Sequence, residues 1–195
     1  MSADRWAVRV FLRRAPGVAA LLLVAGPRGW LAFAGLYAYF RVWDDRVDVP
    51  DRRDVPALLR AEQAARRSGA RGLERDALAA AVARIPALAD VADAMWTTLE
   101  RDAQRLPVAP SREARTARDS AIGSAYAQAL WLCLGQTGEV PASLVHRATV
   151  ATAVHGLRDL HEDLALGYVN VPDEVCRQRG LDVRRPSGPA LEDWR

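Results

Sequence analysis

The stretch Leu36-Tyr37-Ala38-Tyr39-Phe40-Arg41-Val42-Trp43-Asp44-Asp45-Arg46-Val47-Asp48 joins an apolar helical pattern to a knot of charge. Trp30, Phe33, Leu36, Tyr37, Phe40 and Trp43 recur at spacings of three and four, which makes a wide apolar face. The spacing predicts a helix over 28–47 with the aspartates at its C-terminal end, stopped by Pro50. Four residues advance a helix by about 400°, so Asp44 and Asp48 lie on the same side, one turn apart. Like charges so placed repel, and neither helix stability nor packing asks for them. A divalent metal does, because Mg²⁺ prefers hard oxygen ligands and shares them with substrate phosphates.

A second stretch, Arg158-Asp159-Leu160-His161-Glu162-Asp163, repeats the arrangement. Asp159 and Asp163 are again four apart, and Arg158 precedes them as Arg41 precedes the first pair. His155 extends the row, so His155, Asp159 and Asp163 recur every four residues along one helical face. Taken alone, His155 reads equally as a half-buried polar residue bonded to backbone. Either aspartate pair alone reads as a solvated helix end. Both pairs together, each with its arginine, read as two carboxylate faces of a metal-lined mouth for a diphosphate.

The remaining chain follows helical patterns. Helices are predicted over 16–23, ended by Gly26-Pro27, and over 54–67, opened by Asp54-Val55-Pro56. Further helices are predicted over 73–84, 86–105, 111–134 and from Pro141 to Gly167. Residues 168–171 should be extended, because Pro172 disfavours helix before it, and a short helix to Arg179 follows. No internal repeat and no convincing strand pair emerge. The reading is an all-α fold in a single domain spanning 1–195.

Composition sets outer bounds. All 27 basic residues are arginines, which suits phosphate binding but reflects GC-rich codon usage at least as well. The net charge of +3 is spread among 24 acids with no basic stripe, which argues against nucleic acid as a partner. Cys133 and Cys176 stand far apart without metal-like spacing, so a reducing cytoplasm is expected. Arg13-Arg14 and the apolar run 18–25 have the form of a signal peptide, but Pro27-Arg28-Gly29 cuts that run short of a membrane span. The expectation is a cytoplasmic protein.

The first stretch resembles the first aspartate-rich motif of squalene and phytoene synthases. Leu157-Arg158-Asp159-Leu160-His161-Glu162-Asp163, with Gly167 and Pro172, resembles their second motif and its extended exit. Weaker similarity covers Met95, Leu99-Glu100-Arg101 and the Gly123-Ser124 step. The resemblance implies an isoprenoid (terpenoid) synthase-like helical bundle around a central cavity. It implies Mg²⁺, or Mn²⁺ in its place, held by Asp44, Asp48, Asp159 and Asp163. Arg41 and Arg158 would contact the diphosphate of an allylic prenyl substrate, with His155 beside them, and Tyr37 would line the cavity near the reacting carbon. Such greasy substrates imply peripheral membrane contact for an otherwise soluble protein.

Departures from the family pattern are specific. Thr152 and His155 stand where Gln and Asn are usual, and Ala117 and Asp119 stand about where tyrosines are expected. Tyr168 and Asn170 replace an arginine and a tyrosine of the exit, and no serine-bearing signature is recognisable around 15–20. The family continues through further helices, whereas this sequence stops at Arg195. The implied protein is therefore a fragment, a degenerate enzyme, or one whose missing cavity wall comes from a partner subunit. Three functions are expected on this basis. The first joins an allylic diphosphate, farnesyl or geranylgeranyl, to a second isoprenoid. The second prenylates an aromatic acceptor or cyclises a single substrate. The third is a non-catalytic subunit or pseudoenzyme of the same fold.

Overall fold

Ser2 opens a helix that the sequence pattern had hidden. Its hydroxyl accepts from the Arg5 N–H, Asp4 lies in the first turn and Arg13 and Arg14 in the last, so both helix ends carry complementary charge. This helix, α1 (Ala3–Arg14), buries Ala7 and Phe11, while the interleaved arginines gave the segment the look of a charged leader. The computed structural model describes residues 1–48, 54–103, 109–160, 163 and 169–180, and among them there is no strand. The fold class is all-α, as the periodicity predicts.

After α1 come α2 (Pro16–Leu21) and a 3₁₀ turn, Leu22–Ala25. Gly26, at φ 69°, redirects the chain into α3 (Gly26–Val47). The Gly26-Pro27 step thus ends one helix, as expected, and begins the next. Then follow α4 (Val55–Arg67), α5 (Leu73–Arg84), α6 (Leu88–Ala103), α7 (Arg112–Cys133), α8 (Ala142–Arg158) and α9 (Asp173–Arg179). Asp54 stands at the N-cap of α4 without a side-chain cap bond, whereas Ser111 caps α7 by accepting from the Ala114 N–H at 3.1 Å.

α3 is the axis of the molecule. It packs against α1, α5, α6 and α7, and its burial extends well beyond the predicted face. Phe33, Leu36, Phe40 and Trp43 are buried as anticipated, and Tyr39, off that stripe, is sealed completely. Its hydroxyl donates to Glu62 Oε1 at 2.9 Å, and Arg75 Nη1 donates to Glu62 Oε2 at 2.5 Å, so the buried carboxylate of α4 is satisfied from two helices. Close approach explains the wider burial: a Cβ at Gly35 would stand 2.6 Å from the Ala77 carbonyl oxygen of α5. Phe11 of α1 meets Trp30, Phe33 and Tyr37 at ring-centroid distances of 5.2 to 5.6 Å, while Trp43 meets Trp96 of α6 edge-on at 5.6 Å.

The predicted unbroken helix through Gly167 differs from the structure. α8 ends at Arg158, and Asp159 is its C-cap, its N–H donating to the His155 carbonyl at 3.0 Å. Helical geometry resumes at Leu160, and Asp163 N–H donates to the Asp159 carbonyl; residues 161, 162 and 164–168 lie outside the described part. A small satellite core of Ala109, Leu160, Val169, Val171 and Cys176 packs this exit under α9. α8 has α7 as its principal neighbour, and the two cross at Gly123, where a Cβ would stand 2.6 Å from the Thr149 backbone.

That crossing yields the first prediction. Gly123→Val should destabilise the protein by about 2 kcal/mol through overpacking, lowering the melting temperature by roughly 4–8 °C. Gly17→Ala, whose new Cβ would meet nothing within 4 Å, should leave it nearly unchanged in the same thermal scan.

Candidate functional site

The first aspartate cluster closes α3, and its members separate by role. Arg41 forks over it, with Nη1 donating to Asp44 Oδ2 at 3.2 Å and Nη2 donating to Asp45 Oδ1. Arg14 at the end of α1 donates to the other Asp45 oxygen at 2.9 Å. Asp45, which the motif reading left out of the site, is therefore the residue on which two arginines converge. Asp44 and Asp48 keep the predicted one-turn spacing, with the Asp48 N–H donating to the Asp44 carbonyl at 2.9 Å as the helix ends.

Electrostatic neighbours show what Asp44 faces. Its side chain keeps 43 % of its surface accessible, although many protein atoms surround it. Burial, then the Asp48 charge, push its carboxyl from 3.8 up to about 7; Arg41 opposes them, and Asp102 and Asp45 add to them. Tyr126 of α7 is raised by burial and by the Asp44 charge, with Tyr37 contributing. Tyr37 is raised by burial, with Arg41 and Arg14 pulling the other way. Both remain neutral phenols. Tyr37, Arg41, Asp44 and Asp48 from α3 are thus gathered with Asp102 of α6 and Tyr126 of α7 as close electrostatic neighbours.

A chain of ion pairs leads from this cluster through α7. Arg118 grips Asp102 with both Nε and Nη2, at 2.7 to 3.1 Å, and also feels the charges of Asp119 and Asp44. Asp119 accepts from Arg115 Nε at 2.7 Å, and both side chains are over 90 % buried. Arg115 Nη1 donates to the Asn170 carbonyl at 2.6 Å, and its guanidinium lies so close over Gly156 of α8 that a Cβ there has no room. Asn170 Nδ2 in turn donates to the Asp163 carboxylate. Asp119 Oδ1 is buried without a hydrogen-bond donor, 3.7 Å from Arg118 Nη1. The relay connects the surroundings of the first motif to Asp163 of the second.

The second motif is arranged differently from the first. Arg158 donates to both oxygens of its neighbour Asp159, at 2.7 and 3.1 Å, with side chains 66 % and 40 % exposed. His155 is exposed, and α8 buries no residue fully; Val150, Val154 and Leu157 are about half exposed. Among the described residues, no three His, Cys, Asp or Glu side chains gather in a metal-holding cluster. His161 and Glu162 lie outside the described residues.

The donor set at α3 nonetheless suits a hard cation. Two carboxylates one turn apart hold a mutual repulsion that a cation would relieve, and Mg²⁺ commonly takes one or two carboxylates and completes its shell with water and phosphate. Asp102, Arg118 and Tyr126 fall outside the motifs, each an ordinary residue on an ordinary helix; Leu99-Glu100-Arg101, directly before Asp102, and the Gly123-Ser124 step, just before Tyr126, are the sequence signals nearest them. No protein-family model matches the chain, and neither a curated protein nor a solved structure matches it.

Two predictions follow from these charges. A carboxyl raised on folding favours the folded state fully below the unfolded pKa and loses that advantage as pH climbs through about 7. Asp44→Asn should therefore stabilise the cation-free protein at pH 8 by about 1 kcal/mol, once solvent screening of a half-exposed group is allowed for. Below pH 4 denaturant melts of the two proteins should coincide. At the buried pair, Arg115→Leu should cost about 3–5 kcal/mol by stranding Asp119, and Arg115→Leu with Asp119→Leu should recover most of it. Urea titrations of the single and double variants measure the difference.

Proposed function

We propose that the chain is a Mg²⁺-dependent prenyltransferase of the squalene/phytoene synthase type, built on an isoprenoid-synthase-like bundle. It would ionise an allylic prenyl diphosphate, farnesyl or geranylgeranyl, and couple the cation to a second isoprenoid. The observation that carries the reading is the charged cluster at the end of α3. There, Asp44 is held at about 7 by burial and a like charge, beside Arg41, Tyr37 and Tyr126.

Mg²⁺, or Mn²⁺ in its place, would supply the positive charge that makes diphosphate a good leaving group. Asp44 and Asp48 would hold it from α3, with Asp159 and Asp163 as the donors from the second motif. Arg41 offers a fork that can exchange its carboxylate partners for diphosphate oxygens. The allylic C–O bond breaks with its electron pair leaving on oxygen, and the carbon is left as a delocalised cation. Tyr37 and Tyr126 suit that cation because burial keeps them as phenols: their ring faces attract positive charge, whereas a phenolate would capture it. The apolar wall behind them, Phe11 and Phe33, limits the water that would quench it.

A second reading, a non-catalytic prenyl-diphosphate-binding subunit, draws on the second motif. Arg158 and Asp159 neutralise each other on a largely exposed surface, and His155 beside them is exposed as well. That arrangement supplies no second carboxylate face unless Arg158 lets go of Asp159.

The test is diphosphate release from farnesyl or geranylgeranyl diphosphate with Mg²⁺. Release should fall by at least about 10²-fold in Asp44→Asn and in Asp159→Asn, the size expected when a charge-stabilising group is removed. Full activity in both variants would overturn the assignment, and tight binding without release would establish the subunit reading.

A further inference from the structure

The corner where α1 ends and α2 turns into α3 carries a surface that the diphosphate reading does not use. Leu12, Val18, Leu21, Leu23 and Val24 fall within one short stretch and are 49, 40, 77, 68 and 83 % exposed. Single exposed aliphatics are ordinary, but five within thirteen residues, three of them in the turn Leu21–Val24, mark an interaction site. Only Ala19 and Leu22 of this corner are tucked into the core, and they anchor it against α3.

The chain around the tip is basic. Between Arg5 and Trp43 the sequence contains no acid, while Arg5, Arg9, Arg13, Arg14, Arg28 and Arg41 all fall there. Arg5, Arg9 and Arg13 are exposed and follow one another at four-residue spacing, on the face of α1 opposite the buried Ala7 and Phe11. Among the described residues none of these three pairs with an acid, in contrast to Arg14, which holds Asp45. Arg28, also exposed, donates to the Arg84 carbonyl and so keeps its charge uncompensated.

We propose that this corner is a docking surface for an anionic lipid bilayer, with Leu21, Leu23 and Val24 entering the headgroup–acyl boundary and Arg5, Arg9 and Arg13 lying over the headgroups. An aliphatic tip backed by arginine is the composition of elements that lie in a membrane interface. A protein-binding core of similar size would draw on aromatic and methionine side chains, and the tip has neither. The stretch Pro16–Val47 is long and apolar enough to cross a membrane, yet its second part, α3, is the packed axis of the bundle. What remains outside the core, Pro16 to Ala25, is far too short to span a hydrocarbon layer. The corner therefore lies on a bilayer rather than through it. This inference stands independently of the prenyltransferase reading, and its test involves no turnover.

The experiment is co-sedimentation of the full chain with vesicles of phosphatidylcholine alone and of phosphatidylcholine with about a third phosphatidylglycerol, the anionic share setting the electrostatic attraction. Binding to the anionic vesicles should exceed binding to the neutral ones at least tenfold, weaken with salt, and be released by alkaline carbonate. Leu21→Asp with Leu23→Asp and Val24→Asp, or Arg9→Glu with Arg13→Glu, should each cut it at least tenfold. All five residues are exposed, so thermal melts should fall by no more than roughly 2–4 °C, most of it from reversing Arg13 at the C-terminal end of α1. Equal binding to both vesicles, wild-type binding in either variant, or resistance to carbonate extraction would each overturn the proposal. So would absence of vesicle binding in a chain that forms dimers through Leu21, Leu23 and Val24.

Discussion

Everything at the α3 terminus follows from the encasement of that helix. Four neighbouring helices close around it, drawn in by Gly35 and the small residues Ala32, Ala34 and Ala38, and even Tyr39 on its far side loses all contact with solvent. Its last carboxylates reach solvent only in part, Asp44 at 43 % and Asp45 at 36 %. Asp45 finds Arg14 and Arg41, but Asp44 is left beside Asp48 and Asp102 with one long contact to Arg41. The raised carboxyl is thus a consequence of packing. Hydrophobic burial, spread over the whole bundle, holds a repulsion that would relax on an exposed helix end.

α7 converts that local strain into a connection. It packs against α3, α6 and α8, and it carries Arg115, Arg118, Asp119 and Tyr126. Two charged pairs in a half-dry interior are costly unless each partner is satisfied. Here Arg118 is matched by Asp102, and Arg115 by Asp119 and the Asn170 carbonyl. The segment after the second motif is consequently fixed by the same helix that walls the first. A continuous line of polar contacts therefore runs between the two aspartate motifs, although they sit on α3 and at the end of α8.

Helices and their turns were legible because apolar spacing and punctuation residues act locally. α3, α5, α7 and α9 lie where periodicity, Ser111, Gly72 and Pro172 place them. α1 escaped because Arg9, Arg13 and Arg14 dominate its composition, although Ala7 and Phe11 already lay one turn apart. The carboxylate pair on α3 was legible for the same local reason. Asp102, Arg118 and Tyr126 were not, since a helical pattern reveals which face is buried and never which helix it meets. The pairing of Arg158 with its neighbour Asp159 was equally hidden. Spacing puts His155, Asp159 and Asp163 in a row, but it does not reveal that the helix pauses at Asp159 or that Asn170 reaches back to Asp163.

Calorimetric titration of inorganic diphosphate into the protein at pH 7, with and without Mg²⁺ and in buffers of different ionisation enthalpy, tests the central claim most directly. Diphosphate is itself partly protonated at pH 7 and sheds protons on meeting Mg²⁺, so the protein's share is the difference between variants. With Asp44 half-protonated near pH 7, metal-dependent binding should release about half a proton more in the wild type than in Asp44→Asn, because a liganded carboxylate must be ionised. Diphosphate binding that ignores Mg²⁺, or proton release equal in the two proteins, would mean that the carboxylate cluster at the end of α3 is not the metal–diphosphate site.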